Sequence, residues 1–440
     1  MILEFSISNF RSIKESQTIS FLADSSKHLE DVYVVKIGKY RILKMISLFG
    51  ANASGKSNLI KGFSLLRSLV LHPAKNRTSK IKYETFYLDE KWEKGDSEIE
   101  LNFICGEYRY LYYVKFNNQF ILEEKLSCQG IEDLRAHKVF DRTTDTEKEF
   151  SSIVWGSKYR SSMSGKGLES GLLPNRTIFG AYQTTNVDIP WLKAIVDWFE
   201  TYMLPNIHPH DQNLTDYISK KTVEKEISQE LLIQELQKAD IGVSSLTLEV
   251  EKRPLPKELV EHILKDDDTP AEIRDRISAD PTTTDYNIKL IHNGENGGVA
   301  FEFEDESEGT QRYYELSGIL LTLVQTPHFL AVDELECRLH PDLYKHFIIS
   351  FLTNSKTSQL IFTTHLREFL YDSSIYRDDS VWFTEKGAKG DTEVFCLADF
   401  DKEVLDPKVN RFFAYRAGRF GAAPVLGDTR INTKEYDSEE

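Results

Sequence analysis

The stretch FGANASGKSNLIKGF, which begins at Phe49, constrains this chain more than any other. The apolar run ILKMISLFG leads into it and ends at Gly50, as a buried strand would. NLIKGFSLLRSLV, from Asn58 to Val70, follows with apolar residues at helical spacing. Between them, GANASGKS has the form GxxxxGK[ST]. Its glycines let the backbone curl, so that successive N–H groups and the start of the next helix converge on phosphate oxygens. Lys56 then reaches the terminal phosphates and Ser57 ligates magnesium. The bland alternative is a flexible turn, but strand before and helix after favour a nucleotide site.

Hydrolysis of that nucleotide needs a carboxylate on the metal and a group that positions water. HFLAVDELE supplies an apolar strand ending in Asp333, the magnesium-side acid, and Glu334, the base or water-orienting group. More than half the chain separates this pair from Lys56, so a large insertion is implied. The absence of an NKxD-like guanine-reading motif favours ATP over GTP. SQLIFTTH ends another strand and brings His365 forward as a phosphate sensor; alone, such a histidine is more often structural.

A second anion site is suggested by ESEGTQRYYEL, where Ser307 and Gly309 resemble a phosphate-capping turn before a helix. One phosphate tail rarely needs two such starts. The economical expectation is a dimer in which Ser307 and Gly309 of one subunit cap ATP on the loop of the other. A simple helix cap by Ser307 or Thr310 is the alternative.

The 440 residues suffice for one large core or two smaller ones. No run of 18 apolar residues occurs, the first residues have no signal-peptide pattern, and the four cysteines form no CxxC pair. A cytoplasmic protein without zinc or a disulfide framework is expected. The formal charge of -16 opposes a surface that binds nucleic acid everywhere, though not a local basic groove or a basic partner.

Along the chain, residues 1–130 read as an N-terminal ATPase lobe, with the phosphate loop and then antiparallel strands such as EIELNFICG and YRYLYYVKF. Residues 131–240 read as a mostly helical insertion, loop with short helices to about 173, with its later helices as arms for assembly or sensing. Residues 241–440 read as the C-terminal ATPase lobe. Residues 265–286 are expected to be exposed turns, and the tail KEYDSEE to be frayed.

Together, NFRSIK (Asn9 to Lys14), GANASGKSN (Gly50 to Asn58), SEGTQR (Ser307 to Arg312), FLAVDE (Phe329 to Glu334), LHP (Leu339 to Pro341) and TTH (Thr363 to His365) resemble the ATPases of the ABC, SMC and RecF groups. The likeness is greatest to the bacterial AAA-15, or OLD-like, branch. It implies an α/β fold: a two-lobed ABC-type ATPase head with a P-loop core, an antiparallel β lobe and a helical insertion. It also implies ATP and magnesium as cofactors, and heads that close face to face around two ATP molecules as a homodimer or higher homo-oligomer. On this resemblance Gly50, Asn52, Ser54, Gly55, Lys56, Ser57 and Asn58 form the phosphate loop. Ser307, Gly309, Gln311 and Arg312 match the cross-interface signature, with Glu308 as a departure from LSGG. Asp333 and Glu334 match the metal and catalytic acids, and His365 the switch histidine.

Many OLD-like proteins carry a TOPRIM nuclease domain, and too little chain follows His365 to hold one. Asp378, Asp379 and Glu385 read as solvated acids. The resemblance therefore extends to ATPase subunits of bacterial anti-phage systems, such as PARIS and the RloA-like proteins. It implies a separate effector, a nuclease, with a phage protein or DNA as trigger. The block RFFAYRAGRFGAAP, with Arg411, Arg416 and Arg419, serves domain packing, partner docking or nucleic-acid contact. The rivals are a RecF-type repair ATPase with a DNA groove at Arg67, Lys75, Arg77 and Lys80, and a non-hydrolysing scaffold. A transporter subunit is disfavoured, and no membrane contact is expected.

Overall fold

The computed structural model describes residues 1–159, 164–209, 211, 213–266, 269, 271–295, 297–400 and 411–422. The expected fold class, α/β with a P-loop core and an antiparallel sheet, is the one the chain adopts. The chain divides into two compact units. One comprises residues 1–206, 329–334 and 359–440; the other comprises 207–328 and 335–358.

At the centre of the first unit lies a five-stranded sheet in the order Phe329–Val332, Gln359–Thr363, Met45–Gly50, Val381–Lys386, Thr392–Cys396. The first four strands are parallel. Met45–Gly50 and Phe329–Val332 are buried at every position, which explains why both read as unbroken apolar runs rather than alternating ones. The register pairs Val332 with Phe362, Thr363 with Leu48 and Thr384 with Gly50. The carboxyl ends of all four strands therefore open on one edge of the sheet, where α/β folds place their ligands.

Helix Lys56–Leu71 buries Leu59, Ile60, Phe63, Leu66 and Val70. Phe63 stacks on Phe5 at 4.0 Å between ring centroids and meets Phe329 at 4.8 Å. Burying such a side chain contributes about 1.5–3 kcal/mol. Phe5 belongs to a seven-stranded antiparallel sheet in the order Phe150–Trp155, His137–Asp145, Ile121–Gly130, Tyr108–Phe116, Ser97–Cys105, Ile2–Ser8, Gln17–Ser20.

This sheet corrects the reading of residues 131–173 as loop. His137–Asp145 and Phe150–Trp155 are paired strands that extend it. Helix Pro190–Thr201, expected as part of an arm, packs instead as core, with Trp198 4.5 Å from Phe103. The strand signal was obscured because Arg142, a charged residue, points inward. It is fully buried and donates to the carbonyls of Ile121 and Pro174.

The carboxylate of Glu124 is buried in the same sheet, accepting from Tyr112 Oη at 2.9 Å and from Ile178 N at 2.8 Å. Burial pushes its pKa up to about 7 from an ordinary 4.5. Between those values the folded chain holds a proton that the unfolded chain releases, so this group's contribution to stability falls as pH rises through the window. Thermal melts are expected to show the Glu124→Gln variant losing less stability than wild type between about pH 4.5 and 7.

In the second unit, helix Glu308–Gln325 buries Tyr313, Leu316, Leu320 and Leu323. Helix Leu214–Val223 crosses it so closely that a Cβ on Gly318 would lie 2.4 Å from Ile218. A three-stranded sheet, Val243–Pro254, Thr282–Gly294 and Gly297–Glu302, completes the unit. Residues 265–286, expected as turns, contain helix Ala271–Ala279 and the start of a strand among those described. The tail KEYDSEE lies outside the described residues. Among the described residues no helix is long and apolar enough to cross a membrane.

Candidate nucleotide site

The loop from Gly50 to Lys56 is held from two sides by hydroxyl groups. Ser54 Oγ is 2.5 Å from Thr384 Oγ1, and Thr392 Oγ1 donates to Ser54 O at 2.9 Å. Ser12, from the NFRSIK segment, pairs with Thr392 at 2.7 Å and accepts from Asn58 Nδ2 at 2.7 Å. Gly55 has φ of 108°, and a Cβ there would lie 2.0 Å from Thr392 Oγ1. Backbone conformation and close approach thus both require glycine. Lys56 is 6% exposed, and its ammonium donates to Gly50 O at 2.9 Å and Ala51 O at 3.0 Å.

Ser57 Oγ donates to Asp333 Oδ1 at 3.0 Å. Thr363 Oγ1 donates to the same oxygen at 2.7 Å and accepts from Glu334 N at 2.7 Å. Glu334 has φ of 51°, a left-handed conformation that costs a residue with a side chain about 1–3 kcal/mol and clusters at functional sites. His365 stands at the solvent-facing rim. Atoms packed behind its ring, and then the Lys56 ammonium, lower its pKa, while Glu334 and Asp333 pull the other way. The imidazole is therefore held towards its neutral form.

A cavity of about 940 Å3 opens beside the loop, lined among others by Gly50, Asn52, Ser54, His365, Arg367 and Tyr415. The loop N–H groups, Lys56 and the helix start can take phosphate. Ser57 and Asp333 are hard oxygen donors of the kind magnesium uses together with phosphate oxygens and water. Those donors fit the ion, since Ser57 Oγ and Asp333 Oδ1 lie 3.0 Å apart at the end of the loop.

Ser307, Gly309, Gln311 and Arg312 belong to the second compact unit. Ser307 Oγ caps helix Glu308–Gln325 by accepting from Thr310 N at 3.1 Å. A Cβ on Gly309 would lie 3.3 Å from Arg338 O. Gln311 Nε2 bonds the carbonyls of Phe303 and Glu306 at 2.9 and 3.1 Å. Arg312 is 4% exposed and bonds Glu315 at 3.1 Å, and its Nε and Nη2 have no hydrogen-bond partner among the described residues.

The three acids read as solvated are not. Asp379 is buried against Arg377 at 2.7 Å, Asp378 pairs with Arg411 at 2.7 Å, and Glu385 accepts from Ala422 N at 3.1 Å. Within RFFAYRAGRFGAAP, whose last two residues lie outside the described ones, Tyr415 and Phe420 stack on Phe383 at 5.5 and 5.7 Å. Arg416 and Arg419 are exposed. Ser12 and Thr363 lay within the motifs NFRSIK and TTH but had no role assigned to them, and Thr384 and Thr392, each one hydroxyl in an otherwise ordinary strand, gave no local signal.

A family model described as AAA domain, putative AbiEii toxin, Type IV TA system matches residues 45–162 and 209–370. No curated protein matches the chain. Among solved structures, the chain is similar to an Smc head bound to the C-winged helix domain of ScpA, at 15% identity and a TM-score of 0.42, over 90% of this chain and 97% of that one. It is also similar to the SMC head domain from Thermotoga maritima, at 12% identity and 0.40, over 90% and 98%. An Smc head domain with an extended coiled coil, bound to the C-terminal domain of ScpA derived from Pyrococcus furiosus, gives 13% and 0.39, over 92% and 97%.

Proposed function

The chain belongs to the family described as AAA domain, putative AbiEii toxin, Type IV TA system, and from that premise we propose that it binds and hydrolyses ATP with magnesium as the ATPase subunit of a bacterial anti-phage defence complex. One observation carries the hydrolysis reading: Ser57, Asp333, Thr363 and Glu334 form a single hydrogen-bonded set at the mouth of the phosphate loop. Phosphoryl transfer asks a protein chiefly for position and charge.

In this reading the loop N–H groups from Asn52 to Ser57 and the Lys56 ammonium take the phosphates. Glu334 orients the attacking water and accepts its proton. His365, at the rim beside Lys56, donates a ring N–H hydrogen bond to the terminal phosphate. Ser57 and Asp333 hold magnesium, which when bound neutralises charge on the phosphate oxygens. Ser307 and Gly309, with Gln311 and Arg312 beside them, complete the site across a dimer of heads.

The effector is a separate polypeptide, a nuclease, and the relationship is to the OLD-like branch that includes PARIS and RloA-like ATPases. Two observations support this: the family description names a toxin and a toxin–antitoxin system, and Asp378, Asp379 and Glu385 are engaged in packing. The complex is cytoplasmic, and a phage protein or DNA is its trigger. Glu334→Gln with saturating ATP and magnesium is expected to double its solution mass; a variant that stays monomeric counts against closure. Copurification with and without phage challenge, followed by a nuclease assay, tests the effector.

A local observation favours the DNA-binding alternative. In HPAKNRTSKIK, from His72 to Lys82, there is no acid, and Arg77, Lys80 and Lys82 are exposed without a carboxylate partner among the described residues. The segment is clamped by Asn175, which donates to Asn76 O and Ser79 O, and by Arg176, which donates to Ala74 O and Lys75 O. Arg67 is unsuited to that groove, because its Nε is engaged by Met203 O at 2.7 Å. DNA binding by the purified chain that weakens steeply with salt would favour this alternative.

A further inference from the structure

We propose that Thr363 is a positioning residue for ATP hydrolysis, one whose single hydroxyl sets the geometry of both acids; the inference rests on the hydrolysis reading above. Thr363 is fully buried at the end of strand Gln359–Thr363. Its Oγ1 donates to Asp333 Oδ1 at 2.7 Å and accepts the peptide N–H of Glu334 at 2.7 Å. The same Asp333 oxygen takes the Ser57 hydroxyl at 3.0 Å.

Each bond has a separate consequence. The donated bond fixes the rotation of the Asp333 carboxylate, and with it the direction of the lone pairs left for an ion. Partners of this kind control metal affinity although they never touch the metal. The accepted bond holds the Glu334 peptide in its left-handed conformation, with φ of 51°, which an unrestrained glutamate would leave. Thr363 is thereby the point at which the strand carrying His365, two residues on, meets the acid pair. A displacement of His365 by the terminal phosphate would reach Asp333 and Glu334 through this hydroxyl.

A hydroxyl placed only to satisfy a strand end would affect stability alone. The discriminating quantity is the magnesium linkage of nucleotide binding: the ratio of affinities for a fluorescent ATP analogue measured with magnesium and with chelator. Thr363→Val, nearly isosteric, is expected to lower that ratio about tenfold while leaving the metal-free affinity unchanged, and to lower kcat. Thr363→Ser, which keeps the hydroxyl, is expected to restore both.

The full-length chain is used throughout, and metal-free binding reports whether each variant is folded. If Thr363→Val fails that check, Thr363→Ala, which leaves room for a water, is put through the same titration. A linkage ratio and kcat equal to wild type in the valine variant overturn the proposal. So does a fall of metal-free affinity, linkage and kcat together that serine does not rescue. A wild-type chain that binds the nucleotide with magnesium linkage but never turns it over removes the hydrolysis reading instead, and leaves the role of Thr363 at Asp333 to be judged by the linkage ratio.

Discussion

Lys56→Ala is expected to abolish ATP turnover and the ATP-dependent change in solution mass, with the fold retained. The ammonium lies over the first half of the loop, bonded to Gly50 O and Ala51 O and 6% exposed. Poor access to water makes its charge count for more against phosphate than it would on an open surface. Removing one such preorganised donor costs about 10²- to 10³-fold in rate, and alanine also releases the two carbonyls that shape the loop. Calorimetric titration with a non-hydrolysable ATP analogue and a phosphate-release assay measure the two losses, and a melting curve controls for folding. Turnover within about twofold of wild type would remove the phosphate-loop assignment, since mutational effects of that size need no lost phosphate contact.

Glu334→Gln is expected to separate binding from hydrolysis. The substitution keeps shape and removes the proton acceptor, which for a positioned general base costs about 10²- to 10⁴-fold in kcat. ATP affinity should remain, because the loop, Lys56, Ser57 and Asp333 are untouched. The backbone at Glu334 is held by the Thr363 hydroxyl, so the glutamine should keep the left-handed conformation. The control is Asp333→Asn, which is expected to lose magnesium dependence of nucleotide binding as well as turnover. Wild-type turnover that persists in Glu334→Gln would place the base elsewhere; no wild-type turnover at all would favour a scaffold.

How much of this was legible beforehand varied with the range of the interaction. The strand–loop–helix unit was readable because its determinants are local: an apolar strand, two glycines, Lys56 and Ser57, then a helix with apolar residues at Leu59, Ile60, Phe63 and Leu66. The acid strand was readable for the same reason, since Phe329–Val332 is buried on both faces. The strands at His137–Asp145 and Phe150–Trp155 were not, because Arg142 interrupts the alternation, and its inward position is explained by the carbonyls of Ile121 and Pro174 and the Ser151 hydroxyl, which only the folded sheet brings to it. Asp379 looked like a solvated acid because nothing nearby reveals that Arg377 beside it is buried.

By itself, the sequence determined that this chain has a glycine-rich loop of the form GxxxxGK[ST] on a strand–helix junction, and that two acids and a histidine end other apolar strands. Those features follow from short-range patterning and side-chain chemistry. Only the tertiary structure decided that these ends share one edge. The parallel register of Phe329–Val332, Gln359–Thr363 and Met45–Gly50 aligns them, and residues hundreds of positions apart become hydrogen-bonded neighbours. It also decided that one threonine hydroxyl would join both acids, since Thr363 acquires that role only when its strand is laid against the one that ends at Val332.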